Sequence, residues 1–167
     1  PIEDSLRRMG IPYNIVGSIR FYDRKEVKDV LAYLRVLVNI KDTISLRRII
    51  NFPPRGIGVK TMDKCVIQAE LDNIDLFEVL IDAKKLSIRG KQTKSLISFY
   101  KLIKKYCELI DELDASEISR SLVEEAGIMS LYKNSEEIND NESLENIKEL
   151  LNSIDEFGKR NPNSNLR

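Results

Sequence analysis

The period of the apolar positions changes near residue 23. Before that point, the β-prone run 11–16 ends at Gly17 and Ser18, which predicts a short strand followed by a turn. After it, apolar residues recur at helical spacing, which predicts an α-helix. Asp23 is the predicted N-cap, because Glu26 follows three residues later as in a capping box. The apolar positions of this helix are Val27, Leu31, Leu34 and Val38.

The helical period continues through most of the remaining chain. Residues 39–42 interrupt it first, and Pro53 and Pro54 interrupt it again because proline cannot continue a helix. The polar residues 134–142 are a predicted loop. Further helices are predicted over 43–51, 59–71, 76–80, 90–113, 116–127 with Ser116 as N-cap, and 144–157 with Ser143 as N-cap. The longest has an apolar stripe of Leu96, Phe99, Ile103, Tyr106 and Ile110. The sequence therefore predicts a mainly α, bundle-like fold with a short strand and turn at its N-terminus.

Composition excludes several classes of site. The chain has 167 residues, 42% of them hydrophobic and 32% charged. It contains no apolar run of the roughly 20 residues that a membrane span needs. With no histidine and only two cysteines, it lacks the usual nucleophile pairs and zinc sites. Cys65 and Cys107 lie at apolar-periodic positions and are expected to be buried thiols. We therefore expect no catalytic residue and no metal site.

The formal net charge of zero hides a strong asymmetry. Residues 1–64 contain 13 basic and 7 acidic residues, whereas residues 114–158 contain 3 basic and 12 acidic residues. Such a division can give the molecule one face that attracts phosphates and another that repels them. The alternative is that these charges only solvate helix surfaces, and composition does not decide between the two.

One motif points to a binding chemistry. The run Pro-Pro-Arg-Gly-Ile-Gly of residues 53–58, between two predicted helices, is typical of a helix-hairpin-helix. Gly56 can adopt φ > 0 for the reversal, Gly58 can let the backbone approach a phosphate, and Ile57 can fix the hairpin between the helices. The following helix presents N–H groups at its first turn, where anions bind. The added charges and hydroxyl at this end are Arg55, Lys60 and Thr61. A plain glycine-rich turn between helices is the alternative.

Two basic residues outside the motif could extend a phosphate-binding surface. Lys28 and Arg35 are seven residues apart, which places them on one side of the first long helix. Lys25 lies close to the same side. Both could equally be ordinary solvated residues.

Residues 10–35 and 46–58 closely resemble the UvrD/PcrA/Rep family of superfamily 1 DNA helicases. The first run contains Gly17 and Phe21, with three residues between them, followed by the Glu-Val-Lys-Asp helix, and the second run contains Gly-Ile-Gly. The resemblance implies that residues 1–18 end the second RecA-like domain (2A), that 19–158 form the inserted subdomain 2B, and that 159–167 lead back towards 2A. The chain, which opens with Pro1, is then expected to be a piece of a longer protein. Gly17, Phe21 and Glu26 fall at the junction with the motor, where a rigid-body swing of 2B is expected.

The resemblance also implies a function. The chain is expected to be a non-catalytic accessory subdomain that grips duplex DNA at a single-strand/duplex junction in a bacterial, cytoplasmic 3′–5′ helicase. It contains no phosphate loop, so ATP and Mg²⁺ are expected in the parent protein only. The expected partners are the motor domains and repair proteins, and no membrane is expected. The implied DNA contacts are Lys28, Arg35, Arg55, Gly56, Ile57, Gly58, Lys60 and Thr61. The alternative is a helical interaction module whose acidic helices, about 117–157, bind a repair or transcription protein.

Overall fold

The structure, a computed structural model, describes residues 20–82, 86–88, 90–134, 138–161 and 166. These residues form nine α-helices and one 3-10 helix, without a β-strand among them, so the mainly α prediction is confirmed. The predicted strand 11–16 and Gly17 lie outside the described residues. No helix within the described ranges is both long enough and apolar enough to cross a bilayer. The helices are α1 (Arg20–Asp23), α2 (Lys25–Val38), α3 (Thr43–Ile49), α4 (Val59–Asp72), α5 (Leu76–Val79), the 3-10 helix (Leu80–Asp82), α6 (Lys91–Leu109), α7 (Ala115–Glu125), α8 (Ile128–Lys133) and α9 (Ile138–Arg160).

Helix α2 is the centre of the fold. It contacts α1, α3, α6 and α9, and nine of its fourteen residues are buried. This burial is broader than the predicted apolar stripe, because a helix that is packed on several sides also buries residues such as Tyr33 and Val36, both with no exposed surface. Val38, the last residue of the predicted stripe, is instead 45% exposed at the end of the helix.

The C-terminal half packs around α6 and α9. The predicted apolar stripe of α6, from Leu96 to Ile110, is buried as expected. Phe77 of α5 stacks on Tyr100 of α6, with ring centroids 4.6 Å apart. Helices α7, α8 and α9 pack on one another, and α9 returns to α2, so both ends of the described chain meet at α2.

A polar link joins α2 to α9. Asn146 of α9 donates a hydrogen bond to Glu26 at 2.6 Å, and Asn146 in turn accepts one from Arg24. Arg24 also pairs with Glu142 at 2.9 Å. The predicted capping box is therefore wrong: α2 begins at Lys25 without a side-chain cap, and Glu26 serves a contact 120 residues distant.

Several helix ends differ from the predictions. Asp114, not Ser116, caps α7, and its carboxylate accepts a hydrogen bond from the Glu117 backbone at 2.8 Å. The Ser116 hydroxyl lies inside α7 and contacts Asp155 of α9 at 3.2 Å. Helix α9 begins at Ile138, within the predicted loop 134–142, so the cap predicted at Ser143 is also wrong. At α7 two residues that can cap a helix, Asp114 and Ser116, lie close together, and the sequence alone does not show which of them does so.

The two cysteines have structural surroundings. Cys65 in α4 is completely buried, and this burial raises the pKa of its thiol to about 11. Its predicted burial is therefore confirmed, and the thiolate is not populated at neutral pH. Cys107 in α6 is only half-buried, with its sulfur 3.8 Å from the carbonyl oxygen of Leu37.

The cap of α3 gives a test of the fold. Asp42 accepts hydrogen bonds from the Ser45 backbone at 3.0 Å and the Ser45 hydroxyl at 2.7 Å, and the backbone bond above all lowers its pKa below the ordinary 3.8. Asp42→Ala should lower the free energy of unfolding at neutral pH by about 1 kcal/mol. Because the folded pKa is depressed, this stabilisation is present above the ordinary pKa and is lost as the pH falls through the folded value.

The measurement is denaturant unfolding of both proteins across that pH range. The difference in free energy of unfolding between the unmodified protein and Asp42→Ala should become smaller in acid. The control is Thr43→Ala, a substitution at the exposed neighbouring residue, which should show no comparable pH dependence. A difference that stays constant from neutral to acidic pH would contradict the assigned cap.

Candidate nucleic-acid interface

The loop of residues 50–58 between α3 and α4 is braced from within by one asparagine. The side-chain oxygen of Asn51 accepts hydrogen bonds from the backbone nitrogens of Arg55 and Ile57, at 2.9 and 3.0 Å. Between these two donors, Gly56 has φ +75°, as predicted, which is a conformation that favours glycine. Ile57 is 3% exposed, so its side chain belongs to the core while the adjacent glycines are exposed.

The guanidinium of Arg55 lies beneath this loop. One of its terminal nitrogens donates to three backbone carbonyl oxygens, and the other donates to the Tyr33 hydroxyl at 2.7 Å and to the Ala126 carbonyl oxygen at 3.4 Å. The group also lies over the Phe99 ring, 5.2 Å from its centroid. The three backbone acceptors are Ile49 at the end of α3, at 3.2 Å, and the loop residues Phe52 at 2.6 Å and Pro53 at 3.1 Å. A half-buried charge is thus satisfied by fixed dipoles and an aromatic face.

Two hydroxyl groups attach the same loop to neighbouring helices. Tyr33 of α2 donates its hydroxyl proton to the Phe52 carbonyl while accepting from Arg55, and burial raises the pKa of Tyr33 to about 12. Ser95 of α6 donates to the Arg55 carbonyl at 2.9 Å. The loop is therefore held between α2 and α6 and cannot shift without breaking both contacts.

The outer side of this loop is open to solvent. We call the exposed residues around the start of α4, Gly56, Gly58, Val59 and Lys60, the hairpin tip. Gly58 begins α4 without any side-chain cap, and its carbonyl accepts from the backbone nitrogens of Thr61 and Met62. A Cβ built at Gly58 meets nothing within 4 Å. An uncapped, exposed helix start with a lysine beside it can accommodate an anion.

The structure separates the residues predicted from the hairpin motif. Gly56, Gly58 and Lys60 lie together at the hairpin tip, whereas Thr61 is 6% exposed and Arg55 makes its contacts inward. A DNA contact by Arg55 would require it to give up these internal hydrogen bonds. Its role in DNA binding, like that of Ile57 and Thr61, stays a prediction.

Lys28 and Arg35 do not join the hairpin tip. They lie on one side of α2, as predicted. Arg35 is exposed, whereas Lys28 is half-buried and pairs with Asp23 at 2.7 Å. At 100° per residue, they lie roughly 140° and 160° around the helix from Tyr33, whose hydroxyl touches the loop. The basic side of α2 therefore faces away from the hairpin, and any DNA contact it makes is a separate one.

The predicted junction residues are only partly described. Phe21 in α1 is half-buried and packs edge-on against Tyr22, with ring centroids 5.2 Å apart. Glu26 is 7% exposed and forms the link to Asn146 of α9. Both have packing roles at the start of α2, and Gly17 lies outside the described residues.

Sequence reasoning missed the residues that shape the loop. Asn51, Tyr33 and Ser95 act through contacts with the loop, two of them from other helices. Asn51 could have been suspected, because an asparagine just before a turn often bonds to the backbone ahead of it. Nothing in the local sequence of Tyr33 or Ser95 indicates that contact.

The sequence is similar to those of proteins from one family. The whole chain, residues 1–167, matches the family of UvrD-like helicase C-terminal domains. It is 35% identical over 161 residues to the ATP-dependent DNA helicase PcrA of Staphylococcus epidermidis, covering 96% of this chain and 22% of that protein. It is 33% identical over 165 residues to PcrA of Bacillus subtilis, covering 99% and 22%. The chain spans about a fifth of the length of these relatives.

The position of Arg55 leads to a stability prediction. Arg55→Ala should lower the free energy of unfolding by about 3 kcal/mol, because it removes five hydrogen bonds and the contact with the Phe99 ring from a half-buried site. Lys60→Ala, at the exposed hairpin tip, should change it by no more than about 0.5 kcal/mol. Urea unfolding of the two variants provides the comparison. If Arg55→Ala were no more destabilising than Lys60→Ala, the hydrogen bonds of the Arg55 guanidinium would not be what stabilises the loop.

Proposed function

This chain belongs to the family of UvrD-like helicase C-terminal domains, and from that premise we propose that it is the duplex-gripping part of an ATP-dependent DNA helicase. In this proposal the hairpin tip holds the sugar-phosphate backbone of duplex DNA at a single-strand/duplex junction, while motor domains elsewhere in the protein draw one strand. The chain has an accessory role that regulates unwinding and does no chemistry itself.

The observation that carries the proposal is the exposed, uncapped start of α4. Phosphate oxygens are suitable partners for the unpaired N–H groups of a helix start. At Gly58 no side chain stands between the backbone and an approaching strand, and Lys60 adds a positive charge. Contacts of this kind position a protein on DNA without reading its sequence.

The proposed domain arrangement follows the resemblance of residues 10–35 and 46–58. Residues 19–158 are the inserted subdomain 2B, 1–18 end domain 2A, and 159–167 lead back to it. The helices α2 and α9 meet through the Arg24–Asn146–Glu26 link, which supports treating the described helices as one unit that moves together relative to the motor.

Nucleotide chemistry belongs to other parts of the proposed parent protein. Its relatives are ATP-dependent by name, whereas this sequence has no phosphate loop. Within the described residues, no group of three or more acidic, cysteine or histidine side chains is arranged to hold a metal ion. ATP and Mg²⁺ therefore do not fit the residues in hand, and no step of the proposal involves them here.

A second candidate function, binding of a repair or transcription protein, has one observation in its favour. The exposed acidic residues of α7 and α9 lie on helices that pack together. Duplex binding and protein binding differ in what they require, because only the first depends on the hairpin tip and weakens steeply with salt.

The test is fluorescence anisotropy of this chain with a short labelled duplex at low salt. We expect a dissociation constant below about 10⁻⁴ M, with an affinity that falls steeply as salt rises. Gly58→Asp combined with Lys60→Glu should weaken binding by about 10-fold or more, a change of about 1.4 kcal/mol. Packing does not explain such a loss, because position 58 opens to solvent with φ −81°.

The matched control changes the net charge equally on another surface. Ser130→Asp with Lys133→Glu, both at exposed positions of α8, should leave duplex binding within about twofold of the unmodified chain. Equal losses in the two double variants would mean a non-local charge effect. Absence of duplex binding by the unmodified chain at low salt would overturn the proposed function.

A further inference from the structure

Helix α6 carries a lysine-rich surface that the hairpin motif does not include. Residues 91–107 contain five lysines and no acidic residue. All five lysines are exposed, on the side of α6 opposite its buried apolar stripe. Charged residues on a helix often do no more than keep its surface solvated. The contacts of each lysine therefore decide whether this surface is free to bind a ligand.

The surroundings divide the five lysines into two groups. Lys105 pairs with Glu125 of α7 at 2.6 Å, and Lys104 lies 4.0 Å from Glu108. The other three, Lys91, Lys94 and Lys101, form no ion pair with any described residue. We call these three the lysine face. Its positive charge is therefore not neutralised by the acidic third of the chain.

The lysine face borders the hairpin loop. Ser95 and Phe99 of α6 contact Arg55 directly, through a hydrogen bond and through the aromatic ring. At 100° per residue, Lys91 lies about 40° around the helix from Ser95, and Lys101 lies about 120° around in the same direction. The face thus begins beside the loop and continues away from it along α6.

The dimensions of the lysine face fit a nucleic-acid backbone. Lys91 and Lys101 are about 15 Å apart along the helix axis. Each strand of duplex DNA carries one phosphate per about 3.4 Å of axis, so this length corresponds to about four base pairs. Lysine carries its positive charge at the end of a flexible side chain, so it can bind these phosphates whatever the base sequence is.

We propose that the lysine face is a second contact for the duplex backbone, continuous with the hairpin tip. This inference rests on the proposed function, since the hairpin tip sets where the duplex lies. The hairpin tip holds one phosphate position at the start of α4, and the lysine face extends the contact along α6. An acidic protein partner is the other class of ligand for such a surface, and the hairpin tip beside it favours DNA.

The experiment compares duplex binding by the unmodified chain with that of the variant Lys91→Gln, Lys94→Gln, Lys101→Gln. Glutamine keeps the helix propensity and removes the charge. We expect duplex affinity at low salt to fall by about 10-fold or more. The slope of log K against log salt should become shallower by about two to three, close to one for each lost phosphate contact.

The control removes the same charge from exposed positions of α8 and α9, with Lys133→Gln, Lys148→Gln and Lys159→Gln, and should leave the salt slope unchanged. An unchanged slope in the α6 variant, together with a loss in the Gly58→Asp, Lys60→Glu variant, would overturn the inference and leave the proposed function standing. That result would mean that the lysine face makes no contact with the duplex. Failure of the unmodified chain to bind would overturn both.

Discussion

The placement of the Arg55 guanidinium determines the shape of the candidate interface. A half-buried positive charge normally pairs with a carboxylate, yet here it is satisfied by loop carbonyl groups, the Tyr33 hydroxyl and the Phe99 ring. Those contacts fix the loop between α2 and α6. With the loop fixed, Gly56 and Gly58 are held outside the core, and α4 starts at an exposed position. Arg55 thus supports the surface that we propose binds DNA, while its own contact with DNA stays a prediction.

The structure shows more precisely than the sequence where the basic and acidic residues lie. The hairpin tip and the lysine face lie on elements in contact with each other, while most of the exposed acidic residues of the C-terminal third lie on α7 and α9. Where the two regions meet, charges are paired, as for Lys105 with Glu125. The Tyr106 hydroxyl donates to the same carboxylate at 2.8 Å, and these two hydrogen bonds, first that from Lys105, lower the pKa of Glu125. Pairing at this boundary involves Lys105 and not the lysine face, whose positive charge remains.

The sequence predicted most of the described helices, because their signals are local, but it missed the short helices α1 and α8. The spacing of apolar residues shows where a helix lies, and Pro53, Pro54 and Gly127 show where helices end. The buried stripe of α6 was predicted from this spacing alone. The failures involve partners distant in sequence. Glu26 has the spacing of a capping box but bonds to Asn146. The contacts of Arg55 with Tyr33 and Ala126 are likewise not indicated by its neighbours in sequence, and its predicted contact with DNA stays a prediction. Lys28 and Arg35 were assigned to the correct side of α2, but spacing within one helix does not indicate which side faces the hairpin.

The most direct test of the central claim follows backbone amide shifts by NMR as a short duplex is added to the chain. The account predicts that the amides of Gly56, Gly58, Val59 and Lys60 shift most, because the uncapped start of α4 is the group that meets phosphate. The backbone amide signals of the buried residue Ile57 and of helix α9 should shift little. If the largest shifts fell on α7 and α9 while the hairpin tip stayed unchanged, the duplex would bind elsewhere and the account would be contradicted.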